Sequence, residues 1–232
     1  MKGVSCVTAM TVLGVAVNLP SLVNGQASTN DRPIMGDLPR VPLEIYYVDP
    51  PGVTVETLLT GLDVVWSLEF AADGRMFLTE KAGRIRVVSA EGELDPIPWA
   101  SLNNVSAEIR ENGLNGLALH PRFSEEPWIY VMYTVDKDGD EVANRVSRFR
   151  EVNGRGINEE VLLDDLPGST NHNGGRIRFG PDGMLYVGTG DARVRERAQR
   201  LDNLGGSILR ITPEGAVPDD NPWPNNPIWA YG

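Results

Sequence analysis

From Val53 onward one pattern recurs: an apolar run of strand length, a tight turn built on Asp-Gly or proline, a second apolar run, and often a Gly-Arg turn leading into a third. The first copy runs from Leu68 through Asp73-Gly74 to Thr79, with Gly83-Arg84-Ile85-Arg86-Val87-Val88 behind it. The second runs from Leu117 through Pro121 to Thr134, and the third from Ile177 through Pro181-Asp182-Gly183 to Thr189, with Gly206-Ser207-Ile208-Leu209-Arg210-Ile211 following. The copies begin at Leu68, Leu117 and Ile177, 49 and 60 residues apart. That is the length of a four-stranded propeller blade with generous loops, whereas a β-helix would repeat faster. Asp73-Gly74 and Asp182-Gly183 supply the positive φ that a tight hairpin requires. Val53 to Gly232 therefore predicts roughly three blades and the start of a fourth at Ile228-Trp229-Ala230-Tyr231. Closed rings have four to eight blades, so the chain as given reads as an incomplete propeller with an unpaired edge.

Composition agrees with an all-β fold. The 232 residues are 41% hydrophobic and 23% charged, enough for one sizeable core, and 25 glycines with 17 prolines favour many short strands joined by turns. The formal net charge of −11 repels phosphate backbones and anionic lipid, which argues against nucleic acid as a partner.

The N-terminus has the outline of a secretory signal peptide over residues 1–27: Lys2, an uncharged run from Gly3 to Val23, then small and polar residues up to a cleavage point near Ala27. Pro20 interrupts the apolar run, so a leader is expected in place of a membrane anchor, and with it a secreted or periplasmic protein. The single cysteine, Cys6, lies in that leader; thiol catalysis, thiolate zinc sites and iron–sulfur clusters are thereby excluded from the mature chain. Residues 28–52 carry Pro33, Pro39, Pro42, Pro50 and Pro51 and read as a linker or N-terminal arm. Residues 53–232 form the partial propeller.

Two polar stretches interrupt the routine hairpins: Glu111-Asn112-Gly113-Leu114-Asn115-Gly116 and Asn171-His172-Asn173-Gly174-Gly175-Arg176. Each lies just ahead of the first strand of a blade. In a propeller the segments entering the innermost strands line one mouth of the central channel, so both are expected to face the same cavity.

The run from His172 to Val187 with Gly190-Asp191 after it resembles the signature of soluble quinoprotein sugar dehydrogenases, the glucose/sorbosone dehydrogenase family. Further matches are Gly61-Leu62 with Trp66-Ser67-Leu68, Asn112-Gly113-Leu114 through His120-Pro121, and Gly206 to Ile211 with Pro218-Asp219-Asp220-Asn221-Pro222. The resemblance implies a six-bladed β-propeller, here truncated to about three to four blades, that holds pyrroloquinoline quinone (PQQ) and calcium in its channel. It implies PQQ-dependent oxidation of an aldose at C1 to the lactone, with electrons passed to an external acceptor. His172 matches the family's catalytic base, and the chemistry asks for one: hydride leaves carbon only as the hydroxyl proton is removed, and imidazole is the side chain that ordinarily titrates near neutral pH. Glu111 matches a position beside the sugar or cofactor, although a solvated loop acid is an equal reading. Asn171 stands where some members carry Asp, so it can hydrogen-bond there but carries no charge. No metal ligand is assigned within the chain.

His120, ahead of Pro121, reads as a structural turn residue. Asn115 stands where an apolar residue is usual, Arg176 and Arg178 read as cofactor cations or surface ion pairs, and the run Asp191 to Arg200 reads as a solvated excursion. The Arg-Asn pair, the calcium ligands and the cations that the resemblance places around PQQ would all fall past Gly232. The chain alone is thus expected to be inactive, with one wall of a site. Two rivals remain: a non-catalytic propeller that binds a sugar or protein without the cofactor, and a calcium-dependent propeller lactonase drawing on Glu111, Asn171 and Asn173.

Overall fold

The computed structural model describes residues 56–108, 110–139 and 141–232. The expected leader, Cys6 and the proline-rich arm lie outside the described residues. Within them the chain forms three four-stranded antiparallel sheets. The first contains β1 (Val65–Phe70), β2 (Met76–Glu80), β3 (Arg84–Val88) and β4 (Ala100–Ser101); the second β5 (Leu114–Leu119), β6 (Trp128–Asp136), β7 (Val142–Val152) and β8 (Arg155–Pro167); the third β9 (Gly174–Phe179), β10 (Leu185–Thr189), β11 (Ser207–Ile211) and β12 (Ile228–Tyr231). Each sheet is a meander in chain order, with β1, β5 and β9 as the first strands. These three strands lie side by side, β5 touching both others. This is the stacking of propeller blades around their inner strands.

The middle sheet shows why the sheets stack. β6 reads Trp-Ile-Tyr-Val-Met-Tyr-Thr-Val-Asp, rich in β-branched and aromatic residues, and is buried on both faces. Alternate side chains go opposite ways: Ile129, Val131, Tyr133 and Val135 join Phe77, Ile85 and Trp99 in one core, while Tyr130 and Met132 join Ile177, Leu185, Val187 and Leu209 in the other. The first and third sheets are each covered by this middle sheet on one face. Among their remaining apolar residues Leu68, Phe70, Ile208, Trp229 and Tyr231 stay exposed.

The structure corrects one boundary. Ile228–Tyr231 does not start a fourth blade; it pairs antiparallel with β11, Ser207 opposite Tyr231 and Ile208 opposite Ala230, and completes the third sheet. The residues between Ile211 and Ile228 include Pro213, Pro218, Pro222, Pro224 and Pro227, which cannot donate to a ladder, so the next segment able to pair with the open edge of β11 is Ile228–Tyr231. The described residues thus hold three complete blades.

The two Asp-Gly turns share a mechanism. Gly74 and Gly183 sit at φ +90° and +76°, and Asp73 Oδ1 and Asp182 Oδ1 accept the amide protons of Arg75 and Met184 two residues on. Asp182 also accepts from the Tyr186 hydroxyl and from Arg210 Nε, both at 2.9 Å, so the turn is fastened to the neighbouring strand.

His120, at the end of β5, is buried and its Nδ1 accepts the Arg122 amide proton at 3.2 Å. Burial holds this imidazole below the usual histidine range, with Arg122 acting the same way and Glu126 opposing. The fold therefore favours the neutral ring. Between the two pKa values the unfolded chain binds the proton more readily, so this contribution is present above about pH 6.5 and is lost as pH falls through the folded value. The urea midpoint should drop between pH 7 and pH 5.5, and His120→Asn, which keeps an acceptor for the Arg122 amide, should flatten that slope. An unchanged slope in the variant would assign the drop to other groups.

Candidate functional site

The segment carrying His172 leaves β8 at Pro167 and enters β9 at Gly174. It is held by an amide junction on Asn173, a wholly buried side chain whose Oδ1 accepts the Ser169 amide proton (2.9 Å) and the Asn144 Nδ2 proton (3.1 Å), while its Nδ2 donates to Ser169 O (2.8 Å) and Asn112 Oδ1 (2.9 Å). Both oxygen and nitrogen roles are fixed by the backbone of Ser169, so the amide orientation is determined. Asn112, ahead of β5, and Asn144, in β7, are thereby tied to the loop ahead of β9.

This clamp allows an unusual backbone. His172 sits at φ +62°, in the left-handed region that a β-carbon disfavours. Its amide donates to Glu111 Oε2 at 2.6 Å and its carbonyl accepts from the Ala192 amide at 3.0 Å. Gly190 is required beside it: a β-carbon there would lie 1.7 Å from His172 O. The result turns the imidazole outward, with 54% of its side chain exposed.

His172 Nδ1 lies 3.0 Å from Asp191 Oδ1. The carboxylate accepts, so the ring proton resides on Nδ1 and the Nε2 lone pair faces outward; among the described residues Nε2 meets no protein partner. Burial would raise the Asp191 carboxyl, but the Arg193 amide, the His172 ring and the Arg195 charge outweigh it and hold it below the usual carboxylate range. Asp191 therefore stays charged at neutral pH and keeps the imidazole in one tautomer.

Of the residues singled out in the sequence, the structure brings Glu111 and His172 together through the His172 backbone. Glu111 is exposed, yet it is bonded to the histidine loop and is not a free solvated acid. Asn171 is half-buried and its Oδ1 is a buried acceptor without a partner among the described residues. Asp191 was placed in a solvated excursion by its charged surroundings; it is in fact the partner of His172, and Gly190-Asp191 inside the family-like run was the available signal. The rest of that run is mostly exposed, with a 3-10 turn at Arg195–Gln199. Asn115 is buried beneath the loop, donating to Glu111 O at 3.4 Å and packing 2.9 Å from where a Gly175 β-carbon would be. Arg176 lies over the Trp66 ring at 4.8 Å, and Arg178 pairs with Glu69 at 2.9 Å. No cluster of three or more His, Cys, Asp or Glu able to hold a metal is found among the described residues.

Asp191 also lines a cavity of about 420 Å³ with Gly188, Thr189, Gly206, Ser207 and Tyr231; His172 is not among its walls. Three stacked blades, with an Asp-oriented histidine just ahead of the third inner strand, define part of a β-propeller.

The chain belongs to the glucose/sorbosone dehydrogenase family, which matches residues 62–232. It is 31% identical over 193 residues to the aldose sugar dehydrogenase YliI of Escherichia coli K12, covering 79% of this chain and 52% of that protein. Among solved structures, a Thermus thermophilus protein assigned as an oxidoreductase (glucose dehydrogenase) is 47% identical with a TM-score of 0.67, covering 74% of this chain and 51% of the other. The PQQ-bound aldose sugar dehydrogenase of Streptomyces coelicolor is 31% identical with a TM-score of 0.70, covering 77% and 53%. The chain spans about half the length of the curated relatives it matches.

Proposed function

We propose that this chain contributes the proton-abstracting wall of a PQQ-dependent aldose dehydrogenase. The observation that carries this reading is the Asp191–His172 pair, which holds a half-exposed histidine whose Nε2 has no protein partner among the described residues. A base so held accepts a proton from a sugar hydroxyl as hydride departs from the carbon that bears it, giving the C1 lactone from an aldose. Asp191 stabilises the imidazolium that forms, and Glu111 fixes the backbone from which the ring projects.

The residues present fit such a cofactor in part. Asn171, whose buried Oδ1 lacks a partner among the described residues, stands next to the base in the chain and offers it a free acceptor. When bound, PQQ supplies the two-electron acceptor and the protein supplies orientation and electrostatics. The lining of the Asp191 cavity contains no lysine or arginine for the quinone's carboxylates. Those cations, the calcium ligands and the external electron acceptor belong to the same proposal, as does export to the periplasm or exterior.

The lactonase reading has less support: among the described residues Glu111, Asn171 and Asn173 do not form a carboxylate cluster, and Asn173 is engaged in the amide junction. Reconstitution tests the proposal. A complete propeller built on this chain, loaded with PQQ and calcium, should reduce an artificial dye on addition of an aldose. Sugar-independent behaviour, or lactone hydrolysis without quinone, would overturn it.

A further inference from the structure

A second cavity, of about 390 Å³, lies at the other end of the inner strands. Its walls come from the ends of β1, β5 and β9: Glu69 and Phe70, His120 with Phe123 beyond it, and Arg178 with Phe179. β9 separates it from the histidine loop by its whole length, about 17 Å at the usual rise per strand residue. It is therefore distinct from the His172 wall.

Three polar groups meet there with hydrogen-bonding capacity to spare. Arg178 Nη1 pairs with Glu69 Oε1 across 2.9 Å, and the arginine side chain remains 63% exposed, so its other N–H groups stay open. Burial raises the Glu69 carboxyl above its ordinary range, against the opposing effects of Arg178 and Arg176. In His120, Nδ1 accepts the Arg122 amide proton, which places the proton of the neutral ring on Nε2. The nearest carboxylate, Glu126 Oε2, is 3.8 Å from Nε2, beyond hydrogen-bond reach. This N–H has no hydrogen-bond acceptor among the described residues. Around these groups stand the rings of Phe70, exposed to 67%, Phe123 and Phe179.

We propose that this cavity is a second ligand site, for a neutral, monosaccharide-sized polyol. The ion pair cancels its own charge, so a charged ligand gains little net attraction, while a carboxylate beside a guanidinium offers an acceptor and donors at the spacing of adjacent hydroxyls. The imidazole N–H donates to a third oxygen, and the phenylalanine rings cover the apolar C–H faces of a sugar ring. The volume is in the range of small-molecule sites and well above that of a single water. The site stands whether or not His172 abstracts a proton.

The test is an NMR titration of the isotope-labelled full chain with D-glucose, following the His120 and Phe179 resonances. Saturable shifts at both are expected, with affinity at least tenfold weaker in a Glu69→Gln/Arg178→Met double variant and unchanged in His172→Gln. No shift at His120 up to about 100 mM sugar, far above ordinary substrate constants, overturns the proposal. So does a response to D-gluconate but not to glucose, which would mark a site for anions. If the double variant does not fold, the wild-type titrations at His120 decide alone.

Discussion

Replacing His172 by glutamine in a complete, PQQ- and calcium-loaded propeller is expected to lower aldose turnover about a hundredfold or more, the scale on which a positioned general base acts. Glutamine preserves side-chain length and hydrogen bonding but cannot take up the hydroxyl proton. Asp191→Asn should reproduce much of this loss by another route. Its amide either fails to accept from Nδ1 or turns its own N–H toward the ring, which moves the imidazole proton to Nε2 and removes the open lone pair. The two variants acting together should cost little more than His172→Gln alone, because both remove one function. Steady-state dye reduction with each variant checks this. Near-normal turnover in His172→Gln would remove the residue from the mechanism.

Asn173→Ala is expected to destabilise the fold by about 3 kcal/mol or more, because it breaks four hydrogen bonds and leaves the buried amides of Asn112 and Asn144 without their shared partner. Each unmet buried group costs about 1–3 kcal/mol, and the small cavity adds to this. Urea unfolding followed by tryptophan fluorescence reads the loss directly. The same change releases the loop from β5 and β7, so the imidazole should lose its held posture: the His172 ring resonance would move toward that of an unstructured peptide even where the chain stays folded. A loss below about 1 kcal/mol would mean that water replaces the junction in solution.

The positions of these residues show where reading along the chain succeeds and where it stops. The blades were legible because a strand's information is local: period-two apolar runs, and turns in which Asp and Gly meet a defined φ requirement, repeat at blade spacing. His172 is a candidate because it stands in an ordered set of family-like residues. Ile228–Tyr231 was misplaced because a lone apolar run has the same pattern whether it closes one blade or opens the next; only the free edge of β11 decides between them. Asp191 was misread for a similar reason. In sequence it heads a mixed-charge run that looks solvated, and its partner is 19 positions away.

The sequence by itself determined the all-β class, the three repeats and their turn chemistry, since each follows from residue type and near-neighbour spacing, while the proposed base rests on a family resemblance. The tertiary structure alone decided what surrounds that base. Glu111 meets the His172 amide across 61 positions, Asn173 gathers Asn112 and Asn144 from the neighbouring blade, and Glu69 reaches Arg178 from two blades away. Such pairs form when stacking of the blades buries apolar faces and brings the ends of the inner strands side by side, a long-range event that no local period encodes.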